Sequence, residues 1–303
     1  MAFSRFIPRP ADKHREAIQH MLETLLRQVY RTPVPIIPEH VQRLLAIDLQ
    51  PLDLQATDDE ELPFFMPWTA SRLANHEISA ACIEATDALR QIDENLQVHH
   101  SPLFKFDSYR LWDLCTWVRP MCQRLEWEVR YAPRTPTRGW FETIDSLSGW
   151  RCYDALPFCK RLQSIVDPNA DSFWCPENHW TLPGDHPHIK ISLYHSMVGI
   201  PGLMTRGELL TILAVMISRL ERDHRRRHLI VPVMLFSFMG PRHGRILLAH
   251  FNGSKLIVRM TRMYRFLLGE HQFEENLFLF TRYLASATNP RDDTTRLPTM
   301  AEI

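Results

Sequence analysis

The sequence predicts an α/β protein in which a helical N-terminal half packs on a C-terminal core built around a mixed sheet. Three observations lead to this prediction. Apolar residues recur at helical spacing through much of residues 1–135, strand and hairpin signals concentrate after residue 185, and hydrophobic residues make up 45% of the 303-residue chain. We divide the chain into a mainly helical region (1–135), a tryptophan-rich connecting region (136–185) and a basic α/β core with a C-terminal helix (186–303), an arrangement compatible with one compact domain.

Four helices are expected in the first half. Residues 11–31 place their apolar side chains on one stripe, and the three prolines of residues 32–38 must end that helix. A short helix is expected over about 38–49, with proline in a favourable first-turn position. Helical spacing resumes over 69–97 and again over 108–130, where an internal proline should kink or divide the helix.

The signals become sharper in the core. Residues 188–195 alternate apolar and polar side chains, which predicts a strand buried on one face. Thr205 and Glu208 have the spacing of a capping box. The helix that they open, expected over 205–228, is apolar nearly all round and must be covered on several sides. A continuous apolar run over 229–239 predicts a strand buried on both faces.

After this strand, the chain predicts a hairpin and a final helix. Apolar strands at 245–251 and 255–260 flank the dipeptide Asn252-Gly253, which favours the tight turns of hairpins. Residues 270–286 carry apolar side chains at helical spacing. Together these signals predict strand, helix, strand and hairpin in a single sheet.

Charge is distributed unevenly along a chain whose formal net charge is zero. Residues 1–185 carry a net charge of −7 and residues 266–303 a net charge of −3, whereas residues 186–265 hold 13 Lys and Arg against 3 Asp and Glu, a net charge of +10. Of the 35 basic residues 30 are arginine, which binds phosphates and carboxylates through paired hydrogen bonds. The basic block therefore fits an anionic partner such as nucleic acid, or docking on the acidic first half of its own chain.

Cysteine usage and hydropathy bear on the location of the protein. The six cysteines include no C-x-x-C pair and are typical of reduced, packed thiols, so neither disulfides nor a zinc site is expected. No apolar run is long enough to span a membrane, and the first residues lack a secretion signal. We expect a cytoplasmic protein with no membrane partner.

Seven of the eight tryptophans lie between residues 112 and 180, where they could form a packed seam or line a ligand pocket.

The common motifs of nucleotide binding, serine hydrolysis and zinc proteolysis are absent from the sequence. The richest chemistry lies where the chain enters the first core strand: Asp185, His188 and Lys190 can supply an acid, a base and an oxyanion stabiliser. His195, at the end of the same strand, is a second candidate base. The alternatives are a metal site, in which Glu177 or His195 assists Asp185, and a polar turn with a purely structural role.

Residues 176–262 resemble the core of the PD-(D/E)XK nuclease superfamily in the order of their elements: a strand with an acid and an x-Lys ending, a buried helix, an apolar strand and a hairpin. The resemblance implies a restriction-endonuclease-like topology. It matches Asp185 to the first acid of the family and Lys190 to its lysine, which with a second acid bind Mg²⁺ and orient the attacking water. This sequence has His188 in place of the second acid, only three residues after Asp185. The implied core is therefore a degenerate nuclease fold reused for another function.

Residues 231–247 resemble a sequence segment that recurs in uncharacterised fungal proteins. Some fungal proteins of this size and character are arginine-containing cyclodipeptide synthases. That resemblance implies an enzyme of fungal secondary metabolism that joins an arginyl group to a second aminoacyl group, both delivered on tRNA. Aminoacyl esters are already activated, so such an enzyme needs neither ATP nor another cofactor.

These considerations predict a tRNA-dependent, peptide-bond-forming transferase that acts on aminoacyl-tRNA and amino-acid substrates. The chemistry is assigned to four residues: Asp185, His188, Lys190 and His195. The substrate contacts are assigned to Glu177, Tyr194, Glu208 and Arg245, and the phosphate contacts to Arg222, Arg225, Arg226, Arg227 and Arg242. Two other functions stay open: a non-catalytic module that binds nucleic acid or protein through the same arginines, and a metal-dependent nuclease that recruits acids such as Glu208.

Overall fold

The computed structural model describes residues 10–55, 62–74, 77–78, 126–128, 141–153, 155–166, 174–195, 197–222, 227–240, 243–266 and 271–298. Its helices are α1 (Pro10–Arg31), α2 (Glu39–Leu44), α3 (Ala70–Ala74), α4 (Ile144–Leu147), α5 (Arg206–Leu220) and α6 (His271–Leu284), with a 3₁₀ helix at Lys160–Ile165. Its strands are β1 (Ile47–Leu52), β2 (Phe65–Met66), β3 (Glu77–Ile78), β4 (Glu126–Glu128), β5 (Phe141–Thr143), β6 (Arg151–Tyr153), β7 (Trp174–Thr181), β8 (Ile189–His195), β9 (Val233–Met239), β10 (His243–Phe251), β11 (Leu256–Thr261), β12 (Tyr264–Arg265) and β13 (Ala287–Thr288).

Eight strands of the described chain form one mixed sheet in the order β1-β11-β10-β9-β8-β7-β6, with β12 paired to β10. The neighbours β8 and β9 are parallel and are joined by α5, and β1 and β11 are also parallel. The other pairs are antiparallel. The chain is therefore an α/β protein with a mixed sheet, and its β8-α5-β9 unit followed by the β10-β11 hairpin confirms the predicted order of core elements.

Helices cover both faces of this sheet. On one face α1 and α5 pack against the odd-numbered side chains of β8 and β9, such as Ile191 and Leu235. On the other face α6 and the aromatic residues around Phe65 pack against the even-numbered side chains, such as Phe236. No helix among these described residues is long and apolar enough to cross a membrane.

The structure confirms the capping box that predicts the start of α5. Thr205 caps the helix because its hydroxyl accepts a hydrogen bond from the Glu208 amide at 3.1 Å, and the Glu208 carboxylate accepts one from the Thr205 amide at 2.7 Å. Buried side chains run through the helix, which lies between α1 and the sheet. The helix ends at Leu220, before the arginine-rich segment that was expected to complete it.

The predictions for residues 45–52 and for the burial of β8 are wrong. The helix expected over 38–49 stops at Leu44, and Ile47–Leu52 form β1 instead. Pairing with β11 decides this, since it buries Ile47 and Leu52 in the two faces of the sheet. The strand β8 was expected to be buried on one face, but both faces are buried because α6 covers the second one.

The helices expected over 69–97 and 108–130 lie mostly outside the described residues. Within the described parts, only Ala70–Ala74 is helical, and Glu77–Ile78 and Glu126–Glu128 are short strands of a separate three-stranded sheet. Of the clustered tryptophans, the structure describes four, and Trp150, Trp174 and Trp180 are buried.

Candidate functional site

Asp185 anchors the turn that precedes β8 to a later part of the chain. Its carboxylate contacts the Arg227 guanidinium, and its Oδ1 lies 3.1 Å from Nε2 of His228. Nδ1 of the same imidazole lies 2.6 Å from the Thr294 hydroxyl. Burial lowers the pKa of His228, and the Asp185 carboxylate opposes this shift. The acid thus forms a compact network that holds the turn, the segment after α5 and the C-terminal segment together.

His188 is buried among aromatic rings. Its ring centroid lies 5.6 Å from that of Phe65 in an edge-on arrangement and 6.3 Å from that of Phe64. Neither ring nitrogen has a hydrogen-bond partner within the part of the chain that the structure describes. Burial lowers its pKa to about 3, with the neighbouring imidazoles of His186 and His228 as further causes. The side chain is therefore neutral at physiological pH and 5% exposed, which leaves no open path from solvent to its nitrogens.

Lys190 is fully buried and supports the end of α6. Its Nζ donates hydrogen bonds to the backbone carbonyls of Leu284 at 2.6 Å and Ser286 at 2.9 Å. The Leu284 carbonyl belongs to the last turn of α6 and the Ser286 carbonyl lies just beyond it, where a cation also opposes the negative end of the helix dipole. The hydrogen bonds that the ammonium makes are structural, since they hold the end of α6 against β8.

A second polar cluster lies at the carboxyl ends of β8 and β9. Nε2 of His195 is 3.0 Å from the Ser237 hydroxyl, and Nε of Arg245 donates to Glu208 at 2.7 Å. The side chains of Glu208 and Arg245 have no solvent exposure. The second amino group of Arg245 also donates to the carbonyl of Leu203. This cluster joins the start of α5 to three strands of the sheet.

Electrostatics within this cluster favours a carboxylate and a neutral imidazole. Burial alone would raise the pKa of Glu208, but the Arg245 guanidinium outweighs it and holds the pKa below its usual value. Burial lowers the pKa of His195 to about 4, although the Glu208 carboxylate opposes this shift. An ion pair and a hydrogen-bonded histidine therefore occupy the space between α5 and the sheet without contact with solvent.

The alternation of β8 separates two residues that were expected to act together. Ile189, Ile191 and Leu193 face α5, so His195 lies on that face with Ser237. Lys190 lies on the opposite face, against α6. The structure brings His195, Glu208 and Arg245 together, and it places Asp185, His188 and Lys190 in three different environments. Their catalytic roles stay predictions.

The two remaining substrate-contact candidates lie on neighbouring strands. Tyr194 is half-buried on β8 and pairs in register with Cys175 of β7. Glu177 is half-buried at an irregularity in β7, between Pro176 and His179. Burial raises the pKa of Cys175 to about 11, and the Glu177 carboxylate adds to this shift. The thiol is therefore protonated and unsuited to act as a nucleophile.

Basic side chains of the core divide into internal and exposed groups. Arg206 donates to the carbonyls of Val29 and Tyr30 at the end of α1, and Arg219 donates to those of the 186–188 turn. Lys190 and Arg245 also bind groups of the chain itself, so part of the positive charge of the +10 block is used within the fold. Arg222 and Arg227 are exposed, whereas Arg225, Arg226 and Arg242 lie outside the described residues.

Sequence reasoning missed two participants in these networks, Ser237 and His228. Ser237 is the one hydroxyl within the apolar run of β9, and a polar residue in such a run signals a buried hydrogen bond. His228 directly follows three consecutive arginines and carries no comparable signal. Among the residues that the structure describes, no three His, Cys, Asp or Glu side chains are arranged to hold a metal ion.

Comparison with known proteins identifies no relative of this chain. No protein-family model, no curated protein and no solved structure matches the chain.

Proposed function

We propose that this chain binds RNA of the size class of tRNA through exposed cations at one edge of its sheet, on an α/β core of nuclease-like topology. The proposal rests on four exposed cations from four segments, Lys13, Arg222, Arg227 and Lys255, which we call the basic edge. Asp185 offsets the charge of Arg227 in part. The remaining cations suit contacts with phosphate, which supply most of the affinity in non-specific nucleic-acid binding.

Contacts between these segments support their neighbourhood. Arg15 donates to the carbonyls of Leu220 and His228, so the start of α1 lies beside the end of α5. The amides of Leu229 and Ile230 donate to the carbonyl of Thr294, which brings in the C-terminal segment. Gly253, in the hairpin turn next to Lys255, lies against Leu297 of that segment.

The binding alternative is preferred to chemistry at the turn because of burial. His188, Lys190 and His195 are each enclosed, and Lys190 and His195 are hydrogen bonded to protein groups. Substrate would reach them only after a rearrangement of the core. Peptide-bond formation and nuclease activity therefore stay predictions, and RNA binding does not depend on either of them.

The test is the salt dependence of binding to unacylated tRNA, measured by fluorescence anisotropy. Four phosphate contacts predict a slope of log affinity against log salt of about −2.8 to −3.6. The double variant Arg222→Ala and Lys255→Ala should reduce the magnitude of this slope by about 1.4 to 1.8, since two contacts are removed.

A matched control removes two charges from the opposite edge. Arg262 and Arg265 are exposed near the other end of the hairpin, and Arg262→Ala with Arg265→Ala should leave the slope unchanged. Absence of binding to the wild-type chain, a slope near zero, or an equal loss in the control pair would contradict the proposal.

A further inference from the structure

A pocket of about 270 Å³ opens on the α6 face of the sheet, away from the buried clusters described above. Its floor is formed by side chains of β1, β11 and β10, among them Gln50, Arg259 and His250. Phe64 and Phe65, which precede and begin β2, form the wall that faces this floor.

Strand register explains why these side chains converge. Gln50 of β1 pairs with Arg259 of β11, and Arg259 pairs with Leu248 of β10, so the three form one row across the sheet. His250 lies two residues further along β10 and therefore on the same face as Leu248. Leu248 belongs to the apolar cluster that α6 covers, so the pocket begins where that cover ends.

The wall of the pocket is held in an unusual backbone conformation. Phe64 has φ of 67°, in the left-handed region that residues with a side chain rarely adopt. Its carbonyl accepts a hydrogen bond from the Asn289 amide at 3.1 Å, and its amide donates to the Asp292 carboxylate. Such a conformation persists only where the surrounding structure enforces it, and it is frequent at ligand sites. Here it turns the Phe64 ring toward His250, with 4.8 Å between the ring centroids.

His250 supplies a polar group without charge. Burial lowers its pKa to about 4, so the imidazole is neutral at physiological pH. Among the hydrogen bonds of the described residues, none involves its ring nitrogens. The Arg259 guanidinium is thus the one formally charged group among the described residues that line the pocket.

We propose that this pocket binds a small, flat carboxylate whose aromatic ring packs on Phe64 and whose carboxylate pairs with Arg259. The planar fork of arginine matches a carboxylate in two parallel hydrogen bonds. The His250 imidazole can accept one further hydrogen bond from the ligand or donate one to it. This site is separate from the basic edge and does not depend on RNA binding.

Volume limits the ligand to one ring or two fused rings. A cavity of about 150 Å³ holds benzene, and sites for drug-sized ligands begin at roughly 300 Å³. A naphthalene carboxylate therefore approaches the upper limit of this pocket. A nucleotide, which adds a sugar and a phosphate to its base, would extend beyond the pocket into solvent.

The first test compares three probes on the wild-type protein by fluorescence titration: 2-naphthoate, naphthalene-2-carboxamide and the cationic 2-naphthylmethylamine. The carboxylate should bind saturably, and about tenfold or more tightly than the carboxamide, because the carboxamide offers the guanidinium only one acceptor oxygen and no negative charge. The cation should bind least. Absence of saturable carboxylate binding, or equal affinity for all three probes, would overturn the proposal without any variant.

The second test locates the charge. Arg259→Gln should bring carboxylate affinity down to that of the carboxamide and leave the carboxamide unchanged. Arg262→Gln, which removes the same charge three residues away and outside the pocket, should retain the tenfold preference. Phe64→Gly keeps the left-handed backbone accessible and removes the ring, so both probes should weaken together. An unchanged carboxylate affinity in Arg259→Gln, or an equal loss in Arg262→Gln, would overturn the assignment.

Discussion

Lys190 lies over the face of Trp150, with its ammonium nitrogen 3.9 Å from the centroid of the indole ring. The two side chains also share an acceptor, because the indole N–H donates to the carbonyl of Ser286 at 2.7 Å and the ammonium donates to the same oxygen. A cation on an aromatic face is stabilised by the ring quadrupole, most of all where water is excluded. The charge of Lys190 is therefore compensated in the core by a ring and two carbonyls.

This relationship predicts that Lys190→Met reduces stability. The substitution keeps the volume of the side chain but leaves the Leu284 carbonyl without this donor, at a cost of roughly 2–4 kcal/mol in the free energy of unfolding. Urea unfolding measures the loss, and Lys255→Met, at an exposed position, should leave stability unchanged. Wild-type stability combined with a selective loss of a catalytic activity would instead favour the chemical role predicted from the sequence.

A second prediction concerns acid sensitivity. His188 has a pKa of about 3 in the folded chain against about 6.5 when exposed, because burial disfavours its charged form. As pH falls from about 6.5 toward 3, the unfolded chain takes up this proton and the folded chain does not, so stability decreases across that window.

His188→Leu should remove the one proton at this position that the unfolded chain takes up and the folded chain does not. Between pH 5.5 and 3.5 the slope of unfolding free energy against pH should decrease by about 1.4 kcal/mol per pH unit relative to the wild type. Phe65→Leu loosens the same aromatic contact without removing a titratable group and should keep the wild-type slope. Identical slopes for His188→Leu and the wild type would show that the histidine is solvated in the folded protein.

The third prediction concerns the buried pair of Glu208 and Arg245. Arg245→Met leaves an uncompensated carboxylate in the core and should cost about 3–5 kcal/mol. The double variant Glu208→Gln with Arg245→Met removes both charges, and its glutamine can still accept from the Thr205 amide. We expect the double variant to be more stable than Arg245→Met alone in urea unfolding. Additive losses would mean that the two side chains do not interact.

The fourth prediction concerns Gly207 in the first turn of α5. A Cβ at this position would lie 2.5 Å from Cγ of Trp174 and 2.9 Å from its Cβ, and neither atom is the flexible end of a side chain. Alanine gains about 1 kcal/mol in helix propensity, but overpacking commonly costs about 1–3 kcal/mol. Gly207→Ala should therefore lower the melting temperature, and adding Trp174→Leu should reduce that loss. A raised melting temperature in the single variant would contradict the close approach.

Local signals predicted much of the core. The capping box of Thr205 and Glu208, the Asn252-Gly253 turn and the final helix depend on residues close in sequence, and each is present in the structure. The mistaken helix over 38–49 shows the limit of such signals. Its second half becomes β1 through pairing with β11, more than 200 residues later, which no local pattern encodes.

The candidate site was less predictable for a similar reason. The sequence places Lys190 on the polar side of an alternating strand, which usually faces solvent. Only the folded chain reveals that α6, about 90 residues later, covers that side and directs its last carbonyls at the ammonium. His195 lies five residues from Lys190, an odd number, so the two belong to opposite faces of the sheet.

The position of β1 has a consequence for the order of events during synthesis. In the described sheet, β1 lies at an edge and pairs with β11 alone, although β1 leaves the ribosome early and β11 is made some 200 residues afterwards. Until then residues 47–52 have no strand to pair with, and α1 has no α5 to pack on until residues 206–220 are made. Parallel pairing across such a long loop is slow, and unpaired strands promote association between chains. We therefore expect nascent chains arrested before residue 261 to depend on chaperones far more than the finished protein does.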